Sequence, residues 1–347
     1  MDDLRMLRDL GHELQHEPPA SLARQRDRYR ASPRRRFRLG GWPVLGLAAA
    51  ATAAAVAVPM VLVGGQQTLA GRTVPAPAGA RPAKANQALN VLLIGSDTRH
   101  GEGNARYGPY SSRVDSGARA DTLILLHLSA DGKSAAAVNV PRDSMVKVPA
   151  CGGQRGGVMM INGTLNQGGL QCTWKAMESL TRLRIDHAVQ VDFAGFKKLV
   201  DAVGTVRVEV PEPIDDPKSK LKLPAGVNEL NGEQALGYFR LRAYGHGSDL
   251  ERIERQQELL TSLVRKLGSD PTRIGAFIEV ANESVVTDEG LGVEEMSAIA
   301  RGMADAKISF HIVPIVPDPR DRNRVVWKQP DADRLFGKLA DDQPIGR

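Results

Sequence analysis

Asn90-Val91-Leu92-Leu93-Ile94-Gly95-Ser96-Asp97 is a short apolar run that stops at a glycine and hands the chain to a carboxylate. A run this short, aliphatic and bounded by a turn residue suits a buried β-strand. In sheets covered by helices, ligand sites gather beyond strand ends. Asp97 is therefore a candidate ligand-binding group. It reads equally well as a loop carboxylate capping a nearby amide, and the run alone does not choose.

The pattern continues downstream. Thr122 to Leu128 and Ala135 to Val140 read as strands joined by the turn Ala130-Asp131-Gly132, after a long polar, Gly-rich loop at 99–119. Residues 158–181 read as a helix broken by Gly168-Gly169. His187 to Val191 is a strand, Phe193 to Ala202 a helix closed by Gly204, and Thr205 to Val210 another strand. Asn231-Gly232-Glu233 opens a helix, Asp249 to Leu267 is a long one, and Ile308 to Val316 a last buried strand. Strands alternating with helices predict an α/β fold in which helices cover a mixed central sheet. The folded domain spans 89–347 on this reading.

Upstream the composition changes. Trp42 to Val63 contains no charged residue. Its length fits one helix across a hydrocarbon core about 30 Å thick at about 1.5 Å per residue. Residues 1–40 hold ten Arg against six Asp or Glu, so +4 of the chain's formal net charge of +6 lies ahead of that segment. Positive charge stays inside. This predicts a cytoplasmic Arg-rich tail (1–41), a single transmembrane helix (42–63), a Pro/Gly/Ala-rich spacer (64–88) and an extracytoplasmic domain. A uniformly basic nucleic-acid binder would distribute its charge differently. Cys151 and Cys172 both lie beyond the membrane segment, where a disulfide persists. A bridge there is expected, and its loop closure is worth about 3 kcal/mol.

Four further motifs carry charge. Arg119-Ala120-Asp121 enters one strand, and Asn139-Val140-Pro141-Arg142-Asp143 leaves another. With Asp97, these read as three strands placing charged groups at their C-terminal ends. Two neighbouring carboxylates repel unless a cation or proton lies between them. Tyr238-Phe239-Arg240-Leu241-Arg242, if extended, points Arg240 and Arg242 to one face, where paired guanidinium groups suit a pyrophosphate. On the 249–267 helix, Asp249, Arg252 and Gln256 share a polar stripe, and Leu250, Ile253, Leu260, Val264 and Leu267 an apolar one. Gly-x-Ser-x-Gly, Walker and His-Glu-x-x-His motifs are absent, so nucleophilic Ser or Cys chemistry has no support.

Taken in order, with Ile161-Asn162-Gly163 and Leu230-Asn231-Gly232-Glu233-Gln234-Ala235-Leu236 between them, these segments resemble the LytR-CpsA-Psr family of bacterial cell-wall proteins from about Asn90 to Gln257. The Cys pair is similar to that of actinobacterial members. The resemblance implies an α/β/α phosphotransferase domain that moves a glycopolymer from a polyprenyl-pyrophosphate lipid to peptidoglycan at the cell membrane. It implies Asp97 and Asp121 as carboxylates for Mg²⁺, with Mn²⁺ as an alternative. Arg119, Arg142, Arg240, Arg242 and Gln256 match its pyrophosphate-binding positions, and Asp97, Asp121, Arg142 and Arg240 form the catalytic set. The partners implied are the lipid-linked glycan, peptidoglycan and the membrane, with no nucleic acid. Some members carry a Lys two residues before the Arg of the Pro-Arg-Asp motif; here that position is Val140. Asp97, Asp121 and Asp143 are candidate proton acceptors. Met159, Met160, Leu165, Phe193, Phe196 and Leu199 are candidate walls of a lipid groove. The alternative functions are a pyrophosphatase acting on the same lipid and an envelope-related transcriptional regulator.

Overall fold

The computed structural model describes residues 72–98, 104, 118–241, 244 and 249–346. The expected tail (1–41), membrane helix (42–63), residues 64–71 of the spacer, most of the 99–118 loop and Arg242 lie outside the described residues. Among the described residues no helix is long and apolar enough to cross a membrane.

Seven strands form the central sheet: β1 Arg72–Val74, β2 Leu89–Ser96, β3 Ala120–Leu128, β4 Ser134–Asn139, β5 His187–Val191, β6 Val285–Asp288 and β7 Lys307–Ile312. Their spatial order is β1-β6-β5-β2-β3-β4-β7. The pairs β1–β6, β5–β2 and β4–β7 are parallel, and the rest are antiparallel. Around the sheet lie α1 Thr164–Thr181, α2 Phe193–Ala202, α3 Gly232–Arg240, α4 Asp249–Ser269, α5 Pro271–Ser284, α6 Val293–Asp305 and α7 Asp331–Ala340.

The period-two alternation of the strands gives the sheet two apolar faces. On one, Leu92, Leu123, Leu125 and Val138 pack against Trp174 and Met177 of α1 and Phe336 of α7. On the other, Val91, Ile124 and Leu126 face Leu260 of α4 and Ile299 and Met303 of α6. The expected mixed sheet covered by helices is what forms. A separate core joins α2 to α5 with the antiparallel strand pair Val206–Val210 and Gly226–Leu230.

Several expectations need correction. Residues 72–88 are not a spacer, and the domain begins before 89. Arg72, Thr73 and Val74 pair with Val286, Thr287 and Asp288, and that partner is too distant in sequence for local composition to signal. The 158–181 helix begins only at Thr164, because Gly157–Met160 pairs as a strand with Met145–Val148. The strand expected to run from Ile308 to Val316 stops at Ile312 and resumes at Ile315 in a hairpin with Asp321–Trp327. Pro314 lies in the gap, and a proline has no N–H for the ladder. Tyr238 to Arg240 is helical, so the alternation expected of Arg240 and Arg242 does not apply. Asp121 stands at the start of β3, not at a strand's C-terminal end. Because β3 runs antiparallel to β2, it reaches the same sheet end as Asp97.

Cys151 and Cys172 form the expected disulfide. The two glycines that interrupt α1 have a steric reason. A Cβ at Gly168 would overlap the Cys172 Sγ, and Gly169 holds φ +67°, which side chains rarely adopt.

The counter-charge for a buried carboxylate of α1 comes from residue 81. Glu178 is 3% exposed. Arg81 grips it with Nη2 to Oε1 at 2.7 Å and Nε to Oε2 at 2.9 Å, and the Ile185 amide donates to Oε1 at 2.9 Å. The same guanidinium stacks on Trp174, 4.6 Å from the ring centre. Removing one partner of a buried pair leaves an uncompensated charge, which costs roughly 3–5 kcal/mol. Arg81→Ala is therefore expected to lower the melting temperature by roughly 10 °C, read by thermal unfolding. An unchanged midpoint would show that residues 72–88 contribute nothing to the fold.

Candidate active site

The site is built where β2 ends and β3 begins. Gly95 pairs with Thr122, and the register then shifts so that Ser96 pairs with Ala120. Such a bulge re-aims the side chains beyond it. A Cβ at Gly95 would lie 3.1 Å from the Thr122 Cβ, so glycine allows the strands their close approach. Past the bulge, the amides of Asp97 and Asp121 both donate to the Arg119 carbonyl, each at 3.1 Å. The Arg119 amide donates in turn to Asp97 Oδ1 at 2.7 Å. Two carboxylates thus flank one residue. Arg119 itself is exposed, and the contacts recorded for it run through its main chain.

Arg142 arrives from the turn after β4. Ser144, fully buried, donates its amide and hydroxyl to the Pro141 carbonyl, and the Asn162 amide donates to the Arg142 carbonyl. The turn so fixed directs Arg142 Nη1 to Asp121 Oδ1 at 2.6 Å. This is a short, charge-assisted bond. Asp143 stands behind Arg142, with Oδ2 3.6 Å from Arg142 Nε and Oδ1 3.7 Å from Arg324 Nη1. Arg324 belongs to the hairpin 315–327 and faces Asp321 at 3.7 Å. Sequence reading missed Arg324, because no local pattern links it to residue 143.

The opposite wall comes from helices. Asp192 caps α2, accepting from the Gly195 amide at 2.8 Å. Asn104, the one described residue between 99 and 117, donates to Asp192 Oδ2 at 2.9 Å and accepts from the Ala194 amide at 3.0 Å. Asn231 opens α3 with a reciprocal capping box to Gln234. That helix ends on Arg240, whose guanidinium lies 4.7 Å over the Phe193 ring. Gln256 of α4 donates to the Phe239 carbonyl at 3.3 Å. Tyr238 donates to Glu258 at 2.8 Å and ties α3 to α4. Burial, and then the Glu258 carboxylate, push the Tyr238 phenol well above its ordinary range.

These groups share one cavity of about 750 Å³. Its mouth holds Asp97, Asp121, Arg142, Arg240, Arg252 and Gln256. Among the described residues, the charged side chains lining it are four cationic (Arg142, Lys218, Arg240, Arg252) and four carboxylate (Asp97, Asp121, Asp192, Asp216). Most of the remaining lining is apolar. The helix α4 supplies a graded wall, because Arg252, Gln256, Leu260 and Val264 recur every fourth residue and line the cavity in turn. Phe193, Phe196 and Leu199 line it as expected. Met159, Met160 and Leu165 do not form a wall: Leu165 is buried in the α1-side core with Met159 against it, and Met160 pairs with Met145. The walls missed are α4, α5 and α6, whose apolar periodicity reads as ordinary core. Among the described residues no group of three or more His, Cys, Asp or Glu could hold a metal ion. An all-protein metal cage is thus not formed by them, although Mg²⁺ needs only one or two carboxylates beside water and phosphate oxygens.

Comparison with known proteins gives a consistent outcome. The LytR_cpsA_psr family matches residues 64–340. The probable cell wall biosynthesis protein LcpB of Corynebacterium glutamicum is 33% identical over 258 residues, covering 72% of this chain and 60% of that protein. The polyisoprenyl-teichoic acid–peptidoglycan teichoic acid transferase TagV of Bacillus subtilis is 30% identical, over 65% of this chain and 59% of that protein. The aligned region thus spans about three fifths of either relative's length. The structure of a LytR-Csp2A-Psr enzyme from Actinomyces oris superposes with a TM-score of 0.60 at 20% identity, covering 78% of this chain and 96% of that one. At that identity the likeness is one of fold.

The mouth is expected to bind a polyanion through Arg142. One charge-assisted contact is worth about 1.5–3 kcal/mol. Arg142→Ala should therefore weaken inorganic pyrophosphate binding by roughly tenfold to a hundredfold, measured by titration calorimetry. Equal affinities in variant and parent would remove Arg142 from the binding site.

Proposed function

The chain belongs to the LytR-CpsA-Psr family, and from that premise we propose that it is a membrane-anchored phosphotransferase that moves a glycopolymer from a polyprenyl-pyrophosphate carrier to peptidoglycan. The observation that carries this reading is one cavity with a charged mouth and an apolar interior of about 750 Å³. A lipid pyrophosphate divides in the same way. The name of the TagV relative, a polyisoprenyl-teichoic acid–peptidoglycan teichoic acid transferase, supports it.

Phosphoryl transfer depends on positioning and charge stabilisation more than on covalent help. In this reading Arg142, held in orientation by Asp121, and Arg240, held over Phe193, grip the phosphate oxygens. Arg252 and Gln256 extend the same wall. The acceptor hydroxyl attacks the phosphorus that carries the glycan. A P–O bond to the acceptor forms, the P–O bond to the lipid phosphate breaks, and lipid monophosphate leaves. The hydroxyl proton passes to a carboxylate. Asp143 stands behind Arg142, so the acceptor of that proton is Asp97 or Asp121.

Asp97 and Asp121 are the residues that would hold Mg²⁺, or Mn²⁺. The donor set fits, with two carboxylates flanking Arg119. The charge balance argues the same way, because the cationic and carboxylate side chains lining the cavity as a whole are equal in number among the described residues. A pyrophosphate entering such a site meets no net positive charge from them. The ion, when bound, supplies Lewis-acid stabilisation of charge on the departing phosphate.

The anchor completes the proposal. Trp42 to Val63 crosses the membrane once, with the arginine-rich end cytoplasmic and the catalytic domain outside. A tethered enzyme meets a membrane-confined donor at high effective concentration.

Purified chain, a polyprenyl-pyrophosphate-linked glycan, Mg²⁺ and peptidoglycan should give covalent transfer. Arg240→Ala is expected to lower the rate by about a hundredfold or more, the scale for losing one charge-stabilising group. Asp97→Asn and Asp121→Asn should each raise the Mg²⁺ concentration needed for half-maximal rate. Lipid phosphate released equally fast without a glycan acceptor would instead establish a pyrophosphatase. A topology reporter fused after residue 347 should be extracytoplasmic; a cytoplasmic signal would sink the anchored-enzyme reading and favour a regulator.

A further inference from the structure

The apolar path does not end with the main cavity. A second cavity, of about 230 Å³, is lined by Leu89, Leu128, His187, Glu295, Ala298 and Ile299. On β2, Val91 and Leu93 line the main cavity and Leu89 the second. On β3 the same step leads from Leu126 to Leu128, and on β5 from Val189 to His187. Each step is two residues along a strand, so it stays on one face of the sheet. Each also points away from Asp97, because β3 runs antiparallel to β2 and β5 parallel to it. The second cavity is therefore the continuation of the first along the same sheet face. The eight residues of β2 at about 3.3 Å each give the whole path an extent of roughly 25 Å.

One side chain lies on both sides of the division. Ile299 of α6 lines both cavities. No residue of α6 is fully buried, which marks an element of low local stability. Its C-terminal part is closely seated: a Cβ at Gly302 would lie 2.9 Å from Leu128 Cδ2, and a Cβ at Gly268 of α4 would lie 3.1 Å from the Ala304 Cβ. Its N-terminal part carries Glu295, Ala298 and Ile299 over the second cavity. Polar groups there sit at the rim: Glu295 is exposed, and His187 Nδ1 lies 3.1 Å from Asp288 Oδ1.

We propose that the second cavity receives the distal isoprenoid units of the donor's tail, and that Ile299 is the constriction through which the enzyme discriminates donors by tail length. Short tails end inside the main cavity. Longer ones pass Ile299 as the N-terminal half of α6 yields, and each added isoprenoid unit gains dispersion contacts with the cavity lining. This inference rests on the proposed function, since it takes the lipid-linked donor as given.

The test compares two donors carrying the same glycan pyrophosphate, one on a geranyl-length and one on an undecaprenyl-length tail, with the full chain as enzyme. The readout is the ratio of their kcat/KM values. Ala298→Phe fills the second cavity and should lower the preference for the long tail by about tenfold, the effect of losing the packing contacts of a few methylenes. Ile299→Ala widens the constriction and should raise that preference. The short donor reports in the same sample that each variant is folded. A wild-type enzyme indifferent to tail length, or a ratio unmoved in both variants, would overturn the inference while leaving the transferase reading intact. A wild-type enzyme that transfers from neither donor would overturn that reading, and the inference with it.

Discussion

One carbonyl oxygen, that of Arg119, receives the amides of both Asp97 and Asp121, and this is possible only because β2 and β3 run antiparallel and slip register after Gly95. The arrangement sets two like charges side by side, where they repel. The surroundings then follow as responses to that repulsion. Arg142 is brought from the next strand to bond Asp121, and its own turn is locked by buried Ser144. Arg240 and Arg252 come from helices on the far side of the same cavity. A proline at 141 and a cap at Asn231 matter because they fix where guanidinium groups stop.

The central sheet serves two environments at once. Its α1 face is close-packed, with Trp174, Leu92 and Leu125 fully buried. Its other face borders open space, and a void forfeits the dispersion contacts a filled core would make. Stability is concentrated away from that void, in the Cys151–Cys172 bridge and the Arg81–Glu178 pair on the α1 side. The half of the molecule that must admit a ligand is left to partly buried helices, and α6 is the clearest example.

The local patterns were legible. The apolar run at β2, the helix Phe193–Ala202 and the Cys pair are each encoded within a few residues, and the structure places them as read. The convergence of Asp97, Asp121, Arg142, Arg240 and Gln256 on one cavity was legible through motif order. What sequence did not disclose is non-local. The β1 strand looks like spacer because its hydrogen-bond partners lie in β6. The α4 to α6 walls look like core because a helix facing a cavity and a helix facing a core share one periodicity. Pro314 and the short Gly157–Met160 strand fell to length errors at element boundaries. Val140, the position at which the family resemblance led one to look for a lysine, is buried, and Lys218 from a distant turn lines the cavity.

The charges Asp121, Arg142, Asp143, Arg324 and Asp321 alternate in sign from the cavity mouth out to the hairpin 315–327. Each member has the next, of opposite sign, as its neighbour. Residue 324 is bound in this way to residue 143, across most of the domain's length. The hairpin thereby becomes an outer electrostatic shell of the cavity: Asp143 has Arg142 on one side and Arg324 on the other, so the field around Arg142 depends on a residue that does not touch it.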